Sequence, residues 1–499
     1  MAEMNDLIGS GTLVLGRPPT GAKIVQAMFQ YRLKSNDKGE PYKRKARFCA
    51  RGDTYSAGPE VPIFAPTAPW VTVPCLLSLA CANNYVVKTF DVKSAFTSVE
   101  RMGLPDIWLA TPFAPGYPDG HAFHLQKNLY GFQHSPRAFY DAFSSFLTST
   151  LGFERCTYDK TLFRRTTALG ITHISLYVDD ALVVPASEEA WTELHKEVEE
   201  KYQLSSVGDA TLHLGLTIDY DLHNGTLKLG NKSYIEKVAA RFGIPLDVTL
   251  SSATPFARPR TRLYGAAVTG EAPVGAREQQ AFWAGVGSVN WLAITNRPDL
   301  AFPISQLARF LNAPTISHTT ALVHVLKYLV LTRHHTICYR RQYVINPCIR
   351  TAEKSTFVAT NQLVGFCDAD FANDVETRKS HTGFAFLINH AAVDWKSSHQ
   401  RLVASSSTES EYLALSHCVK RAQYLRHLLN FLDQTQSTPT PILGRQRRMQ
   451  LPVQQRLPRR PPEALGRAPE QRPPARRPQH HRSLLRGHCL SGGGLHDQA

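Results

Sequence analysis

Ile174-Ser175-Leu176-Tyr177-Val178-Asp179-Asp180-Ala181-Leu182-Val183-Val184 sets two adjacent carboxylates inside an apolar run. Unpaired carboxylates are too costly to bury, so the apolar flanks read as two strands of a hairpin whose tip carries Asp179 and Asp180 out of the core. Such a tip suits a divalent cation, because hard cations take carboxylate oxygens. In isolation the tetrapeptide Tyr177 to Asp180 also fits a surface β-turn, where Asp is favoured by its local hydrogen bonding. The rest of the chain has to separate the two readings.

At 499 residues the chain is too long for one hydrophobic core, and two to four domains are expected. Hydrophobic residues at 43% supply ample core, so most of the chain should be globular. The longest apolar stretch, Val71 to Val87, is interrupted by Pro74 and by Asn83-Asn84 and falls short of the roughly 18 residues of a membrane span. The N-terminus, with Glu3 and Asp6, does not resemble a signal peptide. An intracellular protein with no membrane partner is expected. Nine cysteines without a CxxC pair argue against a zinc site and a disulfide framework, and they read as reduced, buried thiols.

The formal net charge of +15 suggests a polyanionic partner, but the charge is unevenly placed. From Arg445 onward, twelve arginines stand against Glu463, Glu470 and Asp497, so nine of the fifteen net charges lie in this tail. It is dense in proline, contains no lysine and has no apolar periodicity, so disorder is expected from 444 to 499. An RNA-binding arm would have this composition, and so would a GC-rich coding sequence translated out of frame.

Two further carboxylate placements matter. Val86 to Phe90 alternates like a strand and delivers Asp91 to its end, before Ser94-Ala95-Phe96 turns towards a helix. Nucleotide addition uses two divalent metals, one lowering the pKa of an attacking hydroxyl and one neutralising a triphosphate. Asp91, Asp179 and Asp180 could supply their ligands from adjacent strands; a helix N-cap is the other reading of Asp91. Further on, the Leu363 to Cys367 strand delivers Asp368, Thr382 to Lys396 suggests a hairpin, and Ser407 to Leu429 a helix that begins with Glu409 and Glu411.

Several blocks occur in a fixed order: Lys45-Ala46-Arg47-Phe48-Cys49-Ala50-Arg51-Gly52, Asp91-Val92-Lys93-Ser94-Ala95-Phe96, Leu129 to Tyr140, Tyr177 to Asp180, Asn296 to Phe302, Asp368 to Phe371 with Thr377 to Ser380, and Ser405 to Tyr412. Over about Asn5 to Ile442 they resemble the reverse transcriptase and RNase H portion of a Ty1/copia-type retrotransposon polyprotein. The resemblance implies an α/β (α+β) right-hand polymerase: fingers and palm over 1–245, thumb and connection helices with a linker over 246–350, and a partial RNase H-like domain over 351–443. It also gives a reason to prefer the out-of-frame reading of the tail.

The resemblance implies an RNA-directed DNA polymerase. Asp91 and Asp179 would bind Mg²⁺ (or Mn²⁺), with Asp180 supporting them. Arg47 would grip the triphosphate, which a guanidinium can do bidentately. Tyr130 and Gly131 would begin the helix that stacks on the template base pair, and Phe96 would lie under the sugar of the incoming nucleotide or serve as a core residue. Phe132, Gln133 and His134 stand where the family has Leu, Lys and Gln, which removes one basic contact.

Implied partners are an RNA template, a DNA or tRNA primer and dNTPs, in a cytoplasmic virus-like particle or the nucleus. Asp368 and Glu411 would be two RNase H carboxylates. The Asp-Asn and His-Ile-Asp expected beyond Leu443 are replaced by Gly444-Arg445-Gln446-Arg447-Arg448, so RNase H activity and the elements carrying its last ligands are expected to be lost. No integrase or protease signature is found, which implies a fragment of the element. An inactive or domesticated remnant that at most binds nucleic acid is the other functional reading.

Overall fold

A computed structural model describes residues 2–444, apart from 36–40, 56, 57, 59, 102–105, 113–115, 251–253, 257–262, 342–360 and 390. The tail from 445 lies outside the described residues, as does the junction at which the third predicted domain begins. The described residues belong to one compact unit of mixed helices and strands.

At its centre is an antiparallel six-stranded sheet in the order Leu204–Asp209, Lys88–Val92, Asp180–Pro185, Gly170–Tyr177, Leu162–Thr167 and Glu154–Arg155. Its central strands, Asp180–Pro185 and Gly170–Tyr177, are largely buried on both faces because both faces are covered. Ala181 and Val183 meet Phe90, Phe139, Phe143 and Trp191 beneath the helices Ser135–Ser145 and Glu188–Glu199. Leu182 and Val184 point the other way, towards the helix Thr72–Asn83. That helix is buried on nearly every side, which explains its almost uninterrupted apolar sequence; Asn84, at φ 60°, ends it.

Helical apolar spacing in the sequence runs from Trp191 to Tyr202, but the Glu188–Glu199 helix starts three residues earlier because the Ser187 side chain accepts a bond from Ala190 N. Leu212 to Ile218 reads in the sequence as one strand. The chain instead reverses at Leu214 and Gly215, both at positive φ, and divides the segment into Leu212–His213 and Leu216–Asp221. These join Thr226–Gly230 and Ile337–Arg340 in a second sheet, so the 246–350 span, expected to be thumb and connection helices, is not wholly helical. Its helices, Ala276–Thr295, Ala301–Leu307 and Ile316–Leu331, are separated near Arg297-Pro298 and Ala313-Pro314, where the amphipathic pattern of the sequence is itself interrupted by proline. The Gly-, Ala- and Pro-rich stretch from Gly265 to Gly275, which reads in the sequence as the linker, contains the short helix Ala266–Thr269.

The last sheet orders Ala391–His399, His381–Ile388, Val364–Asp370 and Ile442–Gly444, with Ser407–Phe431 packed against it. The final strand pairs parallel to Val364–Asp370, so the element expected to be lost is present up to Gly444, opposite Cys367. This sheet shares its apolar core with the Thr72–Asn83 helix and is tied to the Ala276–Thr295 helix by Trp395 Nε1 donating to Ala293 O at 2.6 Å. All seven described cysteines are free thiols.

Candidate active site

The hairpin turns through Val178 and Asp179, with Tyr177 paired to Asp180. Val178 has φ 60°, a conformation that a β-branched residue adopts only under strain. Asp179 therefore occupies the turn itself, while Asp180 is the first residue of the returning strand.

That strand pairs next with Lys88–Val92 in a register that places Asp180 directly opposite Asp91. Val92 N donates to Asp179 O at 3.1 Å, which makes Asp91 and Asp180 the non-hydrogen-bonded pair between ladder rungs. Side chains of such pairs share a face and start only about 4.5–5.5 Å apart at Cβ. Asp91 lies within its strand and caps no helix. The strand is anchored by Lys88, whose nearly buried ammonium reaches Glu188 at 2.7 Å and Asp209 at 2.6 Å.

The three carboxylates face a cleft of about 920 Å³. Its opposite wall comes from the hairpin of Ala27–Ser35 and Pro41–Ala50, which contributes Arg32, Arg44, Lys45 and Arg47. Arg47 lies over the Tyr130 ring, 4.9 Å from its centroid, and its Nε has no hydrogen-bond partner. Tyr130 also lines the cleft; burial pushes its phenol up to about 12.

Gly131 lies instead in an adjoining recess of about 330 Å³, with Arg47, Tyr130 and Arg51. Its φ of +99° and its approach to Ala50 leave no room for a side chain: a Cβ there would stand 2.0 Å from Ala50 O. Gly131 thus approaches the backbone of the Pro41–Ala50 strand, where Ala50 N also donates to Tyr130 O. Phe96 does not line the cleft. It is half-buried beneath Tyr130, ring centroids 4.8 Å apart, and touches Phe139.

The acids repel one another, and the basic side chains across the cleft offset this only in part. Burial, then Asp179 and Asp91, push the Asp180 carboxyl up to about 6. Asp179 is also raised, chiefly by burial and then by Asp91, with Arg47 and Lys45 opposing. Carboxylates in this condition are suited to a hard divalent cation, which would lower their mutual repulsion. As they stand, however, no three His, Cys, Asp or Glu side chains among the described residues close into an ion-holding group. Like-charge repulsion favours a splayed arrangement, and one oxygen of Asp91 is already engaged: Ser205 Oγ donates to Asp91 Oδ2 at 2.7 Å. The donor chemistry, three carboxylates facing one cleft, fits a hard divalent cation.

Two contributors to the cleft were not anticipated. Ser205 and Ser206 come from Leu204–Asp209, and Ala2, Glu3 and Asp6 from the helix Ala2–Gly9, whose Met4 and Leu7 are buried in an apolar cluster with Leu13, Phe48 and Phe123. No local motif announces either one, because both reach the cleft only through long-range packing.

Asp368 and Glu411 lie apart from this cleft, in the last sheet and its helix. Asp368 is exposed and opposite Gly383, whereas Glu411 is buried in the second turn of Ser407–Phe431.

Residues 11–257 match the reverse transcriptase (RNA-dependent DNA polymerase) family. The chain is 28% identical over 435 residues to a retrovirus-related Pol polyprotein from transposon TNT 1-94 of Nicotiana tabacum, covering 86% of this chain and 31% of that one. It is 28% identical over 440 residues to the Pol polyprotein from transposon RE1 of Arabidopsis thaliana, covering 86% of this chain and 28% of the relative. The chain thus spans under a third of these relatives. Among solved structures, a foamy viral protease-reverse transcriptase in complex with double-stranded DNA aligns with TM-score 0.47 at 13% identity, covering 88% of this chain and 61% of that one. No described helix is long and apolar enough to cross a membrane.

Proposed function

Because this chain carries a reverse transcriptase region of the Ty1/copia retrotransposon type, we propose that it is an RNA-directed DNA polymerase that extends a DNA or tRNA primer with dNTPs on an RNA template. The observation that carries the proposal is the register of Asp180 opposite Asp91, which gathers three carboxylates into the cleft shared with Arg47. When bound, Mg²⁺ or Mn²⁺ would lower the pKa of the primer 3′-hydroxyl and neutralise the triphosphate.

Asp91 and Asp179 would hold that cation from the strand and the turn, with Asp180 supporting them. Arg47, whose Nε is unspent, would bind triphosphate oxygens through its planar fork. Tyr130 fixes the Arg47 guanidinium from below by cation–π contact and would present a flat wall to the nucleotide or template. Gly131 holds that wall against the fingers by its approach to Ala50. Phe96 supports the Tyr130 ring, so its effect on the sugar site would be exerted through Tyr130.

In this reading 1–245 serve as fingers and palm, 246–350 as thumb and connection, and 351–443 as a partial RNase H-like domain. Asp368 and Glu411 would not cleave RNA, because two carboxylates rarely hold a reactive metal pair. The enzyme would work inside the cell, in a cytoplasmic particle or the nucleus. Primer extension on an RNA template with Mg²⁺ tests the proposal: the full chain should incorporate dNTPs, and Asp179→Asn should reduce the rate about 100-fold or more. No incorporation, or incorporation unaffected by Asp179→Asn, refutes it.

A further inference from the structure

The Leu204–Asp209 strand borders Lys88–Val92 with an irregular register. Leu204 pairs with Val92 and Ser205 with Asp91, after which pairing resumes only at Gly208 with Thr89. The intervening bulge places Ser206 at φ 55° and Gly208 at φ 145°. Ser205 is the last residue paired before the bulge and stands directly opposite Asp91, so the two side chains share a face; its hydroxyl donates to Asp91 Oδ2 at 2.7 Å and lies 3.3 Å from Asp91 O. Lys93 N donating to Gln203 O at 2.9 Å fastens the strand just before the bulge.

A carboxylate on a short side chain can rotate about its terminal torsion, and Asp91 faces two other acids that repel it. We infer that Ser205 is the positioning residue for Asp91: it holds Oδ2 so that Oδ1 is presented to a divalent cation in the cleft. This rests on the polymerase reading above only for the cation's use; binding of the cation can be measured by itself. Ser205 touches no reacting atom, and its influence runs through Asp91. Partners that orient a metal ligand typically change metal affinity or activity by about 10- to 100-fold when removed.

The experiment is a Mn²⁺ titration of the full chain followed by electron paramagnetic resonance, without nucleic acid, on wild type, Ser205→Ala, Ser205→Thr and Asp91→Asn. Circular dichroism checks that each variant is folded. Ser205→Ala should bind Mn²⁺ about tenfold more weakly or worse, and Ser205→Thr, which keeps the hydroxyl, should return to within about threefold of wild type. The same order should appear in the divalent-ion concentration required for primer extension. Ser205→Ala binding within about twofold of wild type overturns the inference, as does a folded Ser205→Thr as weak as Ser205→Ala, or a wild type that binds no Mn²⁺. If wild type extends primers and Asp179→Asn does not, while Ser205→Ala leaves Mn²⁺ binding unchanged, this inference alone fails. If Mn²⁺ binding follows the hydroxyl but no variant extends primers, the polymerase reading fails and the positioning role stands.

Discussion

Asp180→Asn should make this protein more stable and less able to use a divalent cation. Burial and the neighbouring Asp179 and Asp91 raise the Asp180 carboxyl from the usual 3.8 to about 6. The folded state therefore holds this proton more tightly than the unfolded state. The group favours folding fully below pH 3.8, and that contribution is lost as pH rises through 6. At 1.36 kcal/mol per pH unit, ionised Asp180 costs at most ~3 kcal/mol at pH 7.5, and its partial exposure to solvent reduces this to ~1–2 kcal/mol.

Equilibrium urea unfolding with chelator present should show Asp180→Asn more stable than wild type by ~1–2 kcal/mol at pH 7.5. The advantage should fall to roughly half by pH 5 and nearly vanish by pH 4. Saturating Mg²⁺ should narrow the gap at pH 7.5, since a ligand at ten times its Kd adds about 1.4 kcal/mol to the state that binds it. An Asp180→Asn protein no more stable than wild type at pH 7.5, or an advantage independent of pH, refutes the account of Asp180 as an electrostatically strained ligand.

Three further outcomes are expected. Arg47→Lys replaces a planar fork with a point charge and should raise the KM for dNTPs about tenfold while kcat changes far less, as steady-state primer extension will show. Gly131→Ala forces a Cβ towards Ala50 O at a φ of +99°, and should cost ~3 kcal/mol in urea unfolding, with no restoration by divalent cations. Trp395→Phe removes the donor to Ala293 O and should cost ~1–2 kcal/mol of stability while leaving Mn²⁺ binding at the Asp91, Asp179 and Asp180 cleft unchanged.

Much of the architecture around the site is legible from local sequence. The Tyr177 to Asp180 hairpin, the strand ending near Asp91 and the breaks at Arg297-Pro298 and Ala313-Pro314 all arise from turn chemistry and apolar periodicity within a few residues. Legibility fails where a short segment is compatible with two local conformations. Leu212 to Ile218 has the apolar content of one strand, and only the positive φ of Leu214 and Gly215, imposed by the hairpin that packs there, divides it. Phe96 illustrates the same limit: an aromatic after Ser94-Ala95 can enter a cleft or a core, and its contacts with Tyr130 and Phe139 place it at the core edge.

The chain's residue order determined that two carboxylates sit at or beside a hairpin turn, that a third lies near the end of a neighbouring strand, and that a basic strand precedes them. Those are short-range consequences of which groups can be buried and which backbone turns are accessible. Tertiary structure decided that Asp91 stands opposite Asp180, that Glu3 and Asp6 enter the same cleft, and that Ser205, 114 positions away, bonds one oxygen of Asp91. The reason is physical: register and bulge are set by how whole strands pack against a shared core, and a serine carries no local signal of the partner that packing will bring to it.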